Sequence, residues 1–404
     1  MDLTSWASTK CRTDIDDIES FPPMSTSSHR HSICMLSDDF LPAATGVGTH
    51  VQRISEDLAR RGHRVCVITS RRHGEPAQEQ WRGVSVYRSF TVKLFGFYQA
   101  LPSPATIRRI FEENGVTIAH FHYLGVMLKR AEKVARRLAI PRVYTYHMTA
   151  DHLTQPWPMK PLRPWIARQI VDYCNRFDLV ITPSRDLIES IRQDGVLTRT
   201  QYISNPVVFA PAEGVQPVER PGAFVVLYAG RLNPEKNLPL LLEGFRGLLQ
   251  RVPDAVLWIA GAGDQRERLE STCRSLAISE KVRFLGFISH DQLARHYAAC
   301  DVFVLPSLVE IQPLVAMEAM HFGKPVIVTR AIVSARELVD DGVNGFIVDP
   351  AQPSELTDRL FLLASRPDLR RQLGAAAQRR SLDFAPEQVL DAIEAAYDSL
   401  IPQQ

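Results

Sequence analysis

The chain has 404 residues, 45% hydrophobic and 23% charged, with a formal net charge of +2 at pH 7. That length favours two domains, and a near-neutral charge without long runs of one sign excludes a general attraction to nucleic acid. No uncharged apolar stretch is long enough to span a bilayer, and the opening residues lack the apolar core of a secretory signal.

Residues 1–30 read as a disordered leader, with order beginning near His31. From 31 to 205 short apolar runs alternate with longer amphipathic ones. SICMLS, RVCVITS, VTIAHFH, RVYTYH and LVITPS are buried-strand candidates, separated by helical segments such as HVQRISEDLARRG, which ends at Gly62. This alternation predicts a parallel sheet covered on both faces. Residues 206–222 hold four prolines and little periodicity, and read as a linker. The rhythm restarts over 223–380, with helices expected over 353–376 and 386–400. The segment 381–404 is expected to pack back on the N-terminal domain. The fold class is therefore α/β: two doubly wound, Rossmann-like domains facing a central cleft, where ligands bind at the carboxyl ends of the strands. Cys11, Cys34, Cys66, Cys174, Cys273 and Cys300 are far apart and read as reduced core residues of a cytosolic protein.

Four constellations carry candidate chemistry. In GVGTHVQRISEDLARRG, Gly46 and Gly48 permit a sharp turn before a helix expected to start near Thr49. A dinucleotide fingerprint would need a third glycine where Val51 stands, and a turn without a ligand is the competing reading. In YAGRLNPEKNL, Arg231 and Lys236 follow a strand end and suit a diphosphate, although solvated loop cations are the commoner outcome. In WIAGAGDQRERLE, Gly261 and Gly263 permit close backbone approach, placed beside a ribose or base. TYHMTADH sets His147 at a strand end and Asp151 one helical turn on, the latter on the acceptor side. His120 and His122 are read as facing opposite ways, with one toward the cleft; His122 is taken as the acceptor-side residue.

The most informative stretch is SLVEIQPLVAMEAMHFGKPVIVT. Glu310 stands in a loop after a strand and Glu318 in the following helix, with Pro313 suited to its first turn. The free amides of Leu314 and Val315 then form a phosphate site. One acid on either side of a phosphate site matches the order of groups in a nucleotide sugar.

Together, GVGTH, TYH, GRLNPEKNL, IAGAG, FLGFIS and EIQPLVAME resemble glycosyltransferase family 4, retaining enzymes of the GT-B fold, from about His31 to Asp349. The resemblance implies that Arg231 and Lys236 grip the diphosphate, Glu310 contacts the transferred sugar and Glu318 the ribose. It implies that His147 lies beside the donor sugar, that Gly46 and Gly48 close on the diphosphate, and that Phe287 and Ile288 frame the base. Two positions depart from the usual pattern: E-G-F-G becomes Glu310-Ile311-Gln312-Pro313, and P-N-G becomes Ser204-Asn205-Pro206. The first change, which brings Gln312 against the donor, is similar to the E-T-Q of enzymes that glucosylate diacylglycerol.

The expected activity is retaining, metal-independent transfer of a hexose, with UDP-glucose favoured and GDP-mannose next, to a lipid, lipid-linked or glycan acceptor. No cofactor is expected, and no DxD-type acidic pair stands where a metal would bridge phosphates. The alternatives are a sugar-nucleotide epimerase of the same fold and a non-catalytic nucleotide-sugar binder. Trp157 and Trp165 interleave with Lys160, Arg163 and Arg168 in HLTQPWPMKPLRPWIARQI. This segment reads either as a cleft loop leading into a helix or as a contact with an anionic membrane, on the inner face of a cytoplasmic enzyme.

Overall fold

The computed structural model describes residues 30–41, 46–94, 97–150, 160–207 and 214–401. The expected leader, Asp151 and Trp157 lie outside the described residues.

The N-terminal lobe is built on β1 (Ser32–Leu36), β2 (Arg64–Ser70), β3 (Gln78–Trp81), β4 (Val84–Ser89), β7 (Ile118–Phe121), β8 (Arg142–Thr145), β9 (Leu179–Thr182) and β10 (Thr200–Tyr202), with β5 (Thr91–Leu94) and β6 (Phe97–Ala100) forming a separate hairpin. The eight-stranded sheet has the order β10-β9-β8-β7-β1-β2-β4-β3, and β3 runs antiparallel. The β3–β4 turn carries positive φ at both Arg82 (45°) and Gly83 (84°), the mirror-image turn that matches strand twist. The C-terminal lobe holds β11 (Phe224–Ala229), β12 (Ala255–Ala260), β13 (Val282–Gly286), β14 (Val302–Leu305), β15 (Val326–Thr329) and β16 (Gly345–Val348), all parallel in the order β13-β12-β11-β14-β15-β16. Strand order reverses between β1 and β7 in one lobe and between β11 and β14 in the other. The loops that leave those strands therefore splay apart and open a crevice.

Helices differ from expectation at two places. The first begins at Gly46, not near Thr49, and runs to Arg60. The span expected over 353–376 is two helices, Pro353–Ser365 and Pro367–Ser381. Arg366 precedes a proline, which disfavours a helical conformation there; its φ is −125° and ψ 77°.

The lobes are joined by named contacts. The C-terminal helix Pro386–Asp398 packs Val389, Leu390, Ile393 and Tyr397 against Ile33, Val65 and Ile118 of the N-terminal sheet. His31 meets Asp398 at 2.7 Å, and His63 meets Glu394 at 2.7 Å. Glu337, from the C-terminal lobe, accepts from Ser184 Oγ (2.5 Å), Arg185 N (2.7 Å) and Asp186 N (3.2 Å). A carboxylate from one lobe thus caps the helix Arg185–Gln193 of the other, whose first amides have no intrahelical acceptor. The five described cysteines are buried and free. Among the described residues, no helix is long and apolar enough to cross a membrane.

Gly261 shows what the glycine-rich turn after β12 does. Its φ is +141°, and an added Cβ would lie 1.8 Å from the Gly230 carbonyl oxygen. At Gly263 a Cβ would come 2.6 Å from Leu232 O. These glycines let the β12 loop lie against the β11 loop; the close approach is to the chain's own backbone. Gly261→Ala is expected to cost about 3 kcal/mol or more, since strain and overpacking add. Gly46→Ala, which meets nothing within 4 Å, is expected to change stability by less than about 1 kcal/mol. Urea denaturation of the two variants checks the contrast.

Candidate active site

The loops after β11 and β14 carry the cations and acids, and the strand switch between them sets these groups side by side. Leu308 N donates to Glu235 O at 2.8 Å, lacing one loop to the other. Lys236 is 8% exposed and its ammonium pairs with Glu310 Oε1, whose side chain is 21% exposed. Arg231 is 70% exposed, its guanidinium only loosely tied to Glu235 at 3.4 Å. Its backbone is fixed by the Tyr228 hydroxyl, which donates to Arg231 O at 2.8 Å. The charge of Arg231 is felt at Tyr123 of the N-terminal lobe. Burial and then Asp39 raise the Tyr123 pKa, while the Arg231 charge pulls the other way.

Pro313 is the N-cap of the helix Leu314–His321, one residue earlier than its expected first-turn place. Leu314 and Val315 accordingly open the helix, and their amides precede the first intrahelical donors. One turn on, Glu318 is held from both sides: Tyr297 Oη donates to it at 3.0 Å and His290 Nε2 approaches at 3.2 Å. The Glu318 hydrogen bond raises the His290 pKa, and Arg53 of the N-terminal lobe opposes it. Neither Tyr297 nor His290 is signalled by a motif. His290 follows FLGFIS at the N-terminus of its own helix, and only the fold brings it to Glu318.

Ile311 and Gln312 explain the departure from E-G-F-G. Ile311 is buried in the N-terminal lobe's cluster with Tyr146 and Ile166. Gln312 donates to Ser204 Oγ at 2.9 Å and accepts from Asn205 N at 2.8 Å. Both polar ends of its amide are thus engaged by the interlobe chain, the second departing segment. Phe287 is 76% exposed and Ile288 partly buried beyond β13, on the side of His290.

On the N-terminal side, His147 follows β8, and its Nε2 lies 3.1 Å from His122 Nδ1. His50, from the first helix, sets its ring 4.6 Å from that of His147. His120 and His122 do not face opposite ways: residues two apart on a strand share a face, and their ring centroids are 4.2 Å apart. His120 is occupied by Tyr397 Oη and Thr145 Oγ1, both at 2.7 Å. Burial holds all four histidines neutral. It pushes His50 and His120 down to about 3, and lowers His122 and His147 well below the usual range, with neighbouring imidazoles adding to the effect. Gly48 is buried and Gly46 exposed at the start of the first helix.

Residues 213–380 match the profile of glycosyl transferases group 1, and residues 44–210 that of glycosyltransferase family 4. The chain belongs to that family, and its fold is GT-B. As a glycosyltransferase it is 26% identical over 399 residues to the alpha-monoglucosyldiacylglycerol synthase of Acholeplasma laidlawii, spanning 91% of this chain and 97% of that protein. It is 28% identical over 383 residues to the sulfoquinovosyl transferase SQD2 of Arabidopsis thaliana, covering 89% and 71% of the two chains. The solved structure of sucrose-phosphate synthase from Thermosynechococcus elongatus superposes with a TM-score of 0.75 at 22% identity, over 92% of this chain and 99% of that one. The glycosyltransferase acts on a nucleotide sugar.

Proposed function

We propose that this glycosyltransferase moves a hexose, from UDP-glucose in preference to GDP-mannose, onto a lipid or lipid-linked acceptor, with retention and without a metal. The observation that carries the reading is the largely buried Lys236–Glu310 pair beside the exposed, loosely held guanidinium of Arg231 and a helix start. When a diphosphate arrives, Lys236, Arg231 and the amides of Leu314 and Val315 neutralise it. Glu310 is then released from Lys236 to accept from a sugar hydroxyl, and Glu318, already oriented, accepts from the ribose diol. Positive charge placed where the leaving group develops negative charge lowers the barrier without moving a proton. Neutral His147 donates to the sugar. The departing phosphate oxygen takes the acceptor's proton as that acceptor attacks from the same face, so the sugar keeps its configuration. Closure of the lobes assembles these parts.

The lipid acceptor is favoured by the Acholeplasma laidlawii relative, which is named for a glycolipid product. It is also favoured by the surface of residues 161–168. Trp165 is 63% exposed and Leu162 also stands out, next to Arg163 and Arg168. An exposed apolar pair flanked by cations suits an anionic interface.

The test incubates the protein, in EDTA, with each donor and with vesicles containing diacylglycerol or its monoglucoside. An α-linked glycolipid from UDP-glucose is expected. A β-linked product, or donor conversion without acceptor, would sink the reading. Arg163→Ala and Arg168→Ala should each weaken binding to anionic vesicles about fivefold, at about 1 kcal/mol per cation. Equal binding to neutral and anionic vesicles would remove the membrane arm.

A further inference from the structure

His50, His122 and His147 converge from three separate elements: the first helix, the end of β7 and the end of β8. Each offers a ring nitrogen, and these atoms lie within 4.8 Å of one another. The His122–His147 pair, at 3.1 Å, already has the separation of about 3.3 Å that two nitrogens take when each sits about 2.0–2.1 Å from one tetrahedral zinc ion. His50 supplies a second observation. It is 6% exposed, and among the described residues neither of its ring nitrogens has a hydrogen-bond partner. A buried imidazole that makes no hydrogen bond forfeits the solvation of two polar atoms, and an ion is one way to recover it.

We propose that His50, His122 and His147 form a binding site for a divalent transition metal of the zinc class, and that an ion held there switches the enzyme off. Imidazole nitrogens select zinc, cobalt, nickel or copper over magnesium and calcium. Imidazole ligates in its neutral form, through a ring nitrogen that carries no proton. His120 packs beside His122 and is itself fixed by Tyr397 and Thr145, which limits how far the His122 ring can turn. Of the three ligands only His147 is partly exposed, so the ion enters past it and the fourth coordination position lies on its side. An occupied site engages the His147 ring that the sugar-transfer reading assigns to the donor, and holds it away from the sugar. The inhibitory part rests on that reading; metal binding does not.

Cobalt(II) titration of the full chain, followed by visible absorption, tests the site. One tetrahedral cobalt per chain is expected, displaced by zinc, and His50→Phe should weaken binding at least about tenfold. Zinc should also raise the melting temperature of the wild type, reversibly with EDTA, a readout that holds even if His50→Phe folds poorly. No visible band together with no zinc-dependent shift, or equal cobalt affinity in wild type and His50→Phe, overturns the proposal. Zinc should inhibit glycolipid formation by the wild type. Inhibition that persists at full strength in His50→Phe would remove the switch. Failure of the sugar-transfer reading would appear separately, as no product from any donor in EDTA.

Discussion

Lys236→Ala is expected to lower kcat/KM by about 100- to 1000-fold, the range seen when one preorganised oxyanion donor is removed. The ammonium is the most enclosed cation at the site, and it is poised by an acid that it must leave when the diphosphate binds. Loss of the side chain therefore does two things. It removes a charge that acts on the leaving group, and it strands Glu310, a partly buried carboxylate, without its counter-ion. The second effect works against binding of the sugar as well as its transfer, so KM should rise while kcat falls. Glu310→Gln keeps a hydrogen-bonding group for the sugar and frees Lys236 entirely. Its loss should be smaller, about tenfold to 100-fold, and concentrated in kcat. Because the two residues share one interaction, the double variant should lose less than the sum of the two in free-energy terms. Steady-state kinetics of the three variants decides this. Full additivity would mean that the pair does not operate as a unit. Wild-type activity in Lys236→Ala would end the diphosphate role.

Several links between sequence and site were legible because they depend on local pattern. The buried parallel strands are continuous apolar runs, so β1, β2, β11, β12 and β14 stand out from their neighbours. β3, β4 and β10 do not: QEQW and TQY are short and polar, and VSVYRS fully buries only alternate residues, on one face. The cations and acids after β11 and β14 were legible as candidates because charged residues beyond a buried strand end need a reason to be there. Their partners were not. Tyr297 and His290 reach Glu318 through a helix packed on the far side of the loop, a tertiary fact without a sequence period. His50 was hidden by its neighbours, since GVGTH draws attention to its glycines. Its meaning depends on two residues more than 70 positions away. The pattern at Gly261 suits close approach of a ligand, whereas the place of a Cβ there is taken by Gly230. Sequence can say that a Cβ is not tolerated, but not what occupies its place.

The same histidine cluster makes the folded state sensitive to acid, and the sign can be worked out. His50 and His120 have folded pKa values of about 3, held down by burial, against about 6.5 in the unfolded chain. Between those values the unfolded chain binds protons that the folded one does not, so stability falls as pH falls. From pH 7.5 to 5 each of these two groups costs about 2 kcal/mol, and His122 and His147, lowered for the same reason, add in the same direction. Asp38 runs the other way. Burial raises it to about 7, so the folded state gains a proton over the same window, which offsets about one histidine. The net expectation is a loss of several kcal/mol, read as a falling urea midpoint between pH 7.5 and 5 in the presence of EDTA. His50→Phe removes one titrating group, keeps a ring in the cavity and should flatten the profile by about 2 kcal/mol over that range. A midpoint that holds constant down to pH 5 would mean that the imidazoles take up protons in the folded protein, and that the cavity admits the water needed to solvate them.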